Sequence, residues 1–370
     1  MTNEKDCVAR FEIRYTHLLN QHAELVGPLP EFASSGEVLI ALYRTMVQTR
    51  TFDTKAIALQ RTGKMGTYAS SLGQEAVSTG IGSAMRFEDV LLPTYREYGA
   101  QFQRRVEMSE ILRYWGGDEQ GMAYQNQPHD MPIAVPIATH VPHCAGIAYA
   151  MKLRKEPRVA VCVLGDGATS KGDFYEGINL AGAWQLPMVV VVTNNQWAIS
   201  VPRDVQTHAQ TLAQKAIAAG IPGEQVDGND VIAMRHVMSQ AIEKARSGGG
   251  PTLIEAITYR MSDHTTADDA SRYREQTTVD EQKLFDPIER LRNYLIANHD
   301  WNAAKENELV DACSTEVETA VNSYLDTPPS PPESMFDYLY ETLPDALQPQ
   351  RDEVERLGKQ TSNNGGDHNG

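Results

Sequence analysis

The chain has 370 residues, 41% of them hydrophobic, and a formal net charge of -16 at pH 7, which fits a protein with a packed core and excludes a wholly disordered chain. The acidic balance argues against a nucleic-acid partner, and no stretch approaches the roughly 20 apolar residues that span a bilayer, so no membrane partner is expected. The four cysteines show no metal-ligand spacing and are too few for a disulfide framework, so we expect a cytoplasmic protein.

The first predicted element is a helix from about Glu37 to Gln60, where apolar residues recur at helical spacing. It leads into a glycine-rich stretch, RTGKMGTYASSLGQEA, at residues 61–76. A long loop follows from Gly116 to Pro136, where proline, glycine and polar residues dominate. Loops of that length are commonly functional or disordered.

The most regular part of the sequence begins at Arg158. RVAVCVLG and PMVVVVT are apolar runs typical of strands, and GDFYEGINLAGAWQL between them has helical spacing. Neither strand alternates with polar residues, which favours a parallel sheet covered on both faces. A helix at about Asp230 to Arg246 and a strand, TLIEAITYR, extend the pattern. The predicted fold is therefore α/β, a doubly wound parallel sheet flanked by helices.

The sequence divides into three predicted parts. Residues 1–36 form an N-terminal extension, and residues 37–345 form one domain whose C-terminal part, after Arg274, is helical. Residues 346–370 are predicted to be a disordered tail, because the last of them have almost no apolar content.

Two short polar motifs follow the two predicted strands. Gly165, Asp166 and Gly167 form GDG, and after 26 intervening residues (168–193) come Asn194 and Asn195. Because parallel strands end at the same edge of a sheet, we expect Asp166 and Asn195 to lie side by side. A carboxylate and an amide oxygen suit Mg²⁺, which keeps positions for phosphate oxygens. The geometry therefore predicts a cradle for magnesium and a phosphate group.

Simpler interpretations of these residues stay open at this point. GDG alone is a common tight turn. The motif is not a dinucleotide fingerprint, because Ser170 stands where the third glycine would be required, and no Walker motif is present. Gly167 would let the backbone approach a phosphate, and a helix starting near Gly172 would point its positive end at the same place.

The spacing GDG, 26 residues, NN resembles the thiamine diphosphate motif. The segment VLGDGATSKGDFYEGINLAGAWQLPMVVVVTNNQWAIS is similar to alpha subunits of pyruvate and branched-chain 2-oxo acid dehydrogenases. Four further blocks in the same order resemble that family, namely LPTYREYG, VPIATHVPHCAG, VDGND and TYRMSDHTTADDASRYR. The resemblance covers most of residues 35–345 and implies a thiamine diphosphate-binding fold of the diphosphate-binding type.

The resemblance implies roles for individual residues. Tyr95 and Arg96 match a pair that contacts the diphosphate, and the backbone at Val135 and Ile137 matches contacts with the aminopyrimidine ring, against which the side chain of Ile137 would wedge the cofactor. Without the resemblance, Ile137 would be interpreted as a core residue and Arg96 could be an ordinary surface arginine.

The metal and the reaction centre are assigned by the same resemblance. Asp166, Asn195 and the backbone carbonyl of Trp197 match the protein ligands of Mg²⁺, and Gly167 and Ala168 match donors of backbone N–H groups to the phosphates. His264 matches a catalytic and cofactor-binding histidine, which would orient the bound intermediate and present it to the lipoyl group. The alternative for His264 is a solvated loop residue.

The resemblance also implies partners. No segment resembles the half of the site that binds the aminopyrimidine ring, so we expect a beta subunit, a heterotetramer of two alpha and two beta chains, and a dihydrolipoyl acyltransferase core with lipoyl domains. The substrate is expected to be a small 2-oxo acid, pyruvate, with branched-chain 2-oxo acids as the alternative. A non-enzymatic assembly subunit is a third hypothesis, against which the presence of Asp166, Asn195, Arg96 and His264 speaks.

Overall fold

The regular elements alternate between strands and helices through most of the chain. In residues 7–364, which are those that the computed structural model describes, the strands are β1 (Tyr15–Thr16), β2 (Val90–Leu92), β3 (Ala160–Gly165), β4 (Met188–Asn194), β5 (Trp197–Ala198), β6 (Val201–Pro202), β7 (Gly223–Asp227) and β8 (Thr252–Ile257). The helices are α1 (Gly36–Arg61), α2 (Glu75–Ala84), α3 (Tyr98–Gln103), α4 (Met108–Trp115), α5 (His140–Arg154), α6 (Gly172–Ala183), α7 (Arg203–Gln206), α8 (Lys215–Ala218), α9 (Val231–Arg246), α10 (Gln276–Gln282), α11 (Pro287–Asn298), α12 (Ala303–Asp326) and α13 (Gln348–Asn364). None of these helices is long and apolar enough to cross a membrane.

Six strands form one parallel sheet in the order β1-β7-β8-β4-β3-β2. Alternate side chains of β3 enter different cores. Val161 and Val163 belong to a core that also contains residues of α1, α2 and α9, whereas Cys162 and Leu164 belong to one with residues of α5 and α6. Both faces of the sheet are therefore covered, which explains the unbroken apolar runs and confirms the predicted α/β fold class.

The N-terminal residues take part in this sheet. The predicted extension, residues 1–36, contains β1, which pairs with β7 so that Tyr15 lies opposite Gln225. Nearby, both backbone N–H groups of Leu18 and Leu19 donate to the carboxylate of Asp230 at the start of α9. Strand β1 is thus an edge strand of the sheet. The sequence did not indicate it, because a strand of two residues shows no periodicity.

The chain separates into two compact units, Met1–Asn322 and Ser323–Gly370. The first contains the sheet and both cores. This division differs from the predicted limit at residue 345, and it falls within the long helix α12, where the sequence pattern offers no interruption.

The prediction of a disordered tail was wrong for Gln348–Asn364, which form α13. Ion pairs at helical spacing support this helix, since Arg356 contacts Glu353 at 2.6 Å and Lys359 contacts Glu355. Such pairs each stabilise a helix by about 0.2–0.5 kcal/mol without burying apolar surface. Residues 365–370 of the predicted tail lie outside the described residues.

Candidate functional site

Four parallel strands end at the edge of the sheet where the predicted site residues follow. Gly165 of β3 lies opposite Thr193 of β4, so Asp166 and Asn195 come directly after paired strand ends. Tyr95 and Arg96 follow β2 on the other side of β3, and His264 follows β8 beside β4. Loops from separate parts of the sequence therefore meet at one carboxyl edge, as they do in open α/β sheets generally.

A cavity of about 240 Å³ lies at this edge. Nine of the ten predicted site residues line it: Tyr95, Arg96, Ile137, Asp166, Gly167, Ala168, Asn195, Trp197 and His264. Val135 does not line the cavity, and its side chain is exposed two residues before Ile137. The structure thus brings together residues separated by up to 169 positions (264 minus 95).

Asp166 is a buried acidic residue in the lining of this cavity. It opens a turn of 3₁₀ helix, Asp166–Ser170, and is only 2% exposed. Its Oδ2 atom is buried and has no hydrogen-bond partner among the described residues. Burial raises the pKa of the carboxyl group to about 6. A buried carboxylate oxygen without a partner is costly, so this arrangement favours the binding of a cation.

The amide of Asn195 is held in one orientation. Its Nδ2 donates to Oε1 of Gln74 at 3.0 Å, and its Oδ1 accepts from the backbone N–H of Trp197 at 3.2 Å. Gln196, between Asn195 and Trp197, has a φ of +71°, which turns the chain sharply after β4. The turn brings both Asn195 and Trp197 to the cavity lining.

Packing gives a reason for glycine at position 167 in addition to the expected approach of a phosphate. A Cβ atom added there would lie 2.7 Å from Cβ of Ala198, so close packing between two loops already requires glycine. The start of α6 at Gly172 is not among the residues that line the cavity, which end at Ala168 on this segment. The 3₁₀ turn separates β3 from α6, so the backbone that reaches the cavity on this segment belongs to the turn and not to the helix.

Arg96 links the loop after β2 to the loop that carries His264. Its Nη2 lies 2.6 Å from the carbonyl oxygen of His264 and 3.1 Å from Nδ1, and Nη1 donates to the carbonyl oxygen of Ser70. A guanidinium only donates, so Nδ1 accepts and the neutral imidazole carries its proton on Nε2. Burial, reinforced by Arg96 and Arg260, lowers the pKa of His264 to about 4. The site thus contains a neutral histidine beside a cation.

Comparison with known proteins assigns the chain to a family. The model of the family described as "Dehydrogenase E1 component" matches residues 43–333. The chain belongs to the dehydrogenase E1 component family. It is 42% identical over 319 residues to the 3-methyl-2-oxobutanoate dehydrogenase subunit alpha of Mycobacterium tuberculosis, covering 86% of this chain and 87% of that protein.

Pyruvate dehydrogenase E1 component alpha subunits are also similar. The one from Mycoplasma genitalium is 37% identical, over 90% of this chain and 93% of that protein, and the one from Staphylococcus epidermidis is 39% identical, over 84% of each. The resemblance found in the sequence is therefore confirmed. Membership of this family makes the chain a component of a thiamine-diphosphate-dependent dehydrogenase.

Sequence reasoning missed a residue of this E1 component that supports the histidine loop. Arg260 is fully buried, donates to the hydroxyl of Tyr273 at 2.7 Å, and has two guanidinium nitrogens without a partner among the described residues. The Tyr273 hydroxyl in turn donates to Asp268, whose carboxylate also accepts the backbone N–H of His264 at 2.9 Å. The block TYRMSDHTTADDASRYR contained all four residues, but their connections required the folded loop.

The neutral state of His264 leads to a prediction on pH. In an unfolded chain a histidine has a pKa of about 6.5, and in the folded E1 component it is about 4. Between these values the unfolded state binds more protons, so this group's contribution to stability is lost as the pH falls from about 6.5 towards about 4. Glutamine at position 264 keeps an acceptor and does not titrate. We therefore expect the melting temperature of the wild type, relative to His264→Gln, to fall over this range.

Thermal unfolding of both proteins at several pH values between 7.5 and 4.5 tests this expectation. The substitution His143→Gln, at an exposed position on α5, is the control for the loss of a histidine side chain outside the cavity lining. A difference between wild type and His264→Gln that stays constant across the range would contradict a neutral, half-buried imidazole at position 264.

Proposed function

We propose that the chain is the alpha subunit of the first component of a pyruvate dehydrogenase, which decarboxylates pyruvate oxidatively and passes the acetyl group to the lipoyl arm of a dihydrolipoyl acyltransferase. The observation that carries the proposal is the cavity in which eight other predicted residues surround the carboxylate of Asp166, whose Oδ2 has no hydrogen-bond partner among the described residues. The similarity to pyruvate dehydrogenase alpha subunits supports this substrate.

The residues around Asp166 fit a magnesium ion. Its unpartnered Oδ2, the Oδ1 of Asn195 and the backbone carbonyl of Trp197 are oxygen donors of the kind that Mg²⁺ prefers. Residues 7–364 contain no group of three or more His, Cys, Asp or Glu side chains that could hold a metal. A metal here would therefore be bound by one carboxylate oxygen, one amide oxygen and one backbone carbonyl oxygen. Phosphate oxygens would supply further ligands.

The remaining lining residues suit the cofactor. Arg96, with Tyr95 beside it, would bind the diphosphate as a planar cation, and the backbone N–H groups of Gly167 and Ala168 would donate to it. Ile137 presents an apolar side chain in the cavity that would support the rings, whereas Val135 lies outside the cavity lining. Bound thiamine diphosphate supplies the electron sink for decarboxylation of a 2-oxo acid. The neutral His264 would position the bound group for transfer.

We propose that a beta subunit covers this cavity in a heterotetramer of two alpha and two beta chains. Three apolar side chains of the cavity lining, Ile137, Ile199 and Val201, are 41%, 57% and 39% exposed. Exposed apolar residues around a cavity mark a surface where a ligand or a protein binds. The four cysteines, all free, suit the cytoplasm as the location we propose for the complex.

Isolated and assembled chains should behave differently. The alpha chain alone is expected to neither bind thiamine diphosphate tightly nor decarboxylate pyruvate, because it supplies only the diphosphate half of the site. Calorimetry with Mg²⁺ and thiamine diphosphate, on the chain alone and after addition of its beta subunit, measures this. Tight binding and turnover by the alpha chain alone would contradict the proposed division of the site.

The substrate is tested on the assembled complex. Decarboxylation of pyruvate and of 3-methyl-2-oxobutanoate, followed with an artificial electron acceptor, should show the higher kcat/KM with pyruvate. The opposite order would favour the branched-chain alternative, which the similarity to the Mycobacterium tuberculosis subunit supports. Absence of turnover with both, in a complex that binds the cofactor, would favour a non-enzymatic assembly subunit.

A further inference from the structure

The glycine-rich stretch that precedes α2 places one more side chain in the cavity. Gly73 has a φ of +89°, and a Cβ atom there would lie 2.5 Å from the carbonyl oxygen of Tyr259, so the turn requires glycine. The carbonyl oxygen of Gly73 accepts a hydrogen bond from Thr258 Oγ1 at 2.8 Å, directly after β8. Gln74, at the start of α2, is thereby fixed at the same sheet edge as Asp166.

Gln74 is buried, with 3% of its surface exposed, and it lines the cavity. Its Oε1 accepts from Nδ2 of Asn195 at 3.0 Å. Its Nε2 is also buried but has no hydrogen-bond partner in the described part of the chain. An unpaired buried amide N–H group costs about 1–3 kcal/mol, so such a group in a cavity indicates a missing acceptor.

The backbone fixes which end of each amide faces which. The N–H of Trp197 can only donate, so the atom of Asn195 that it contacts must be the oxygen. The nitrogen of Asn195 therefore faces Gln74, and the atom of Gln74 that receives it must be Oε1. The N–H groups of Gln74, a residue that lines the cavity, are consequently left without a partner among the described residues, and reversing the amide would oppose two donors.

We propose that Gln74 is a positioning residue for Asn195 and that its Nε2 donates a hydrogen bond to an oxygen of the magnesium-bound diphosphate. The inference rests on the proposed function, in which Asp166 and Asn195 hold the metal. It adds a donor at the start of α2 to those that the 3₁₀ turn Asp166–Ser170 would supply. Without Gln74, the amide of Asn195 keeps its contact with the backbone N–H of Trp197 but loses the second contact that holds it, and the anion loses one donor.

Two substitutions separate these contributions in the assembled complex. Gln74→Leu removes both the acceptor and the donor, and we expect it to weaken thiamine diphosphate binding at saturating Mg²⁺ by roughly 10- to 100-fold, the loss typical of a hydrogen bond to a charged group. Gln74→Glu keeps an acceptor for Asn195 but replaces the donor with a charged oxygen. At pH 8 we expect it to weaken binding more than Gln74→Leu does.

Gln101 offers matched controls. It is 1% exposed, donates from Nε2 to the hydroxyl of Tyr124 at 3.0 Å, has an unpartnered Oε1 among the described residues, and does not line the cavity. Gln101→Leu and Gln101→Glu should leave the dissociation constant of the cofactor within about twofold of the wild type. Calorimetry gives these constants, and thermal unfolding of the cofactor-free complexes shows whether each variant is folded.

The order of the two Gln74 variants is diagnostic. A purely structural role predicts that Gln74→Glu, which preserves the contact with Asn195, is the milder change, and that order would overturn the donation to the anion. Wild-type binding by both variants would overturn the proposal as a whole. The variant Asp166→Asn tests the proposed function separately. If that function is wrong, this variant should bind the cofactor normally, independently of the result for the Gln74 variants.

Discussion

Replacement of Asp166 by alanine is expected to abolish magnesium-dependent binding of thiamine diphosphate while the fold survives. Asp166 carries the one negative charge among the three proposed metal ligands, and its Oδ2 has no partner among the described residues. Loss of a group that merely supports a metal ligand costs about 10- to 100-fold in affinity, so loss of the ligand itself should exceed roughly 100-fold. Calorimetric titration of the assembled complex with cofactor at fixed Mg²⁺ measures the effect.

Asparagine at the same position gives a sharper test, because binding and stability should change in opposite directions. Burial raises the pKa of Asp166 to about 6 in the metal-free chain, above the value of about 3.9 for an unfolded chain. The folded state then binds more protons between these values, so this carboxyl group lowers stability as the pH rises from about 4 to about 6. Above that range Asp166→Asn should melt no lower than the wild type without metal, yet fail to bind the cofactor.

A matched control is available in α7. Asp204 is an exposed carboxylate near the site in sequence, but it does not line the cavity. Asp204→Asn should preserve cofactor binding and its dependence on Mg²⁺. If Asp166→Asn kept magnesium-dependent binding at the wild-type level, the assignment of the metal to this carboxylate would be wrong.

Replacement of His264 by alanine is expected to slow acylation of the lipoyl domain much more than it weakens cofactor binding. Arg96 contacts the backbone carbonyl of His264 as well as the ring, and the backbone contact survives the substitution. The proposed metal ligands are also unchanged. Loss of a group that positions or transfers a proton costs on the order of 10²- to 10⁴-fold in rate, whereas we expect the dissociation constant of the cofactor to rise by less than about tenfold.

Three measurements on the same complex distinguish the possible roles of His264. These are the cofactor dissociation constant, decarboxylation with an artificial electron acceptor, and acylation of the lipoyl domain. The exposed His129, which lies outside the cavity lining, serves as the control as His129→Ala. Near-normal acylation would reduce His264 to a loop residue. Equal losses in all three measurements would show instead that the histidine orders the whole loop through Arg96.

The sequence was sufficient to predict the central βαβ unit and the meeting of Asp166 with Asn195. Both strands are buried on two faces, so their apolar runs are continuous, and a parallel pairing leaves little freedom in where the strands end. The observed register, Gly165 opposite Thr193, places the two polar residues as the spacing predicted. The loops after β2 and β8 could be assigned only through the family resemblance, because no local pattern relates Arg96 to His264.

Only the tertiary structure decided which polar groups are satisfied and which are not. Gln74 and Asn195 are 121 positions apart, and their contact fixes two amide orientations that the sequence leaves undetermined. The same holds for the unpaired oxygen of Asp166, since burial and hydrogen bonding depend on every neighbour in space. The sequence by itself determined the fold class and the placement of Asp166 and Asn195 at the sheet edge, because hydrophobic periodicity and strand ends are local properties. The pairing of donors and acceptors around the cavity is set by the loops that follow four strands together with the segment before α2, and it exists only in the folded chain.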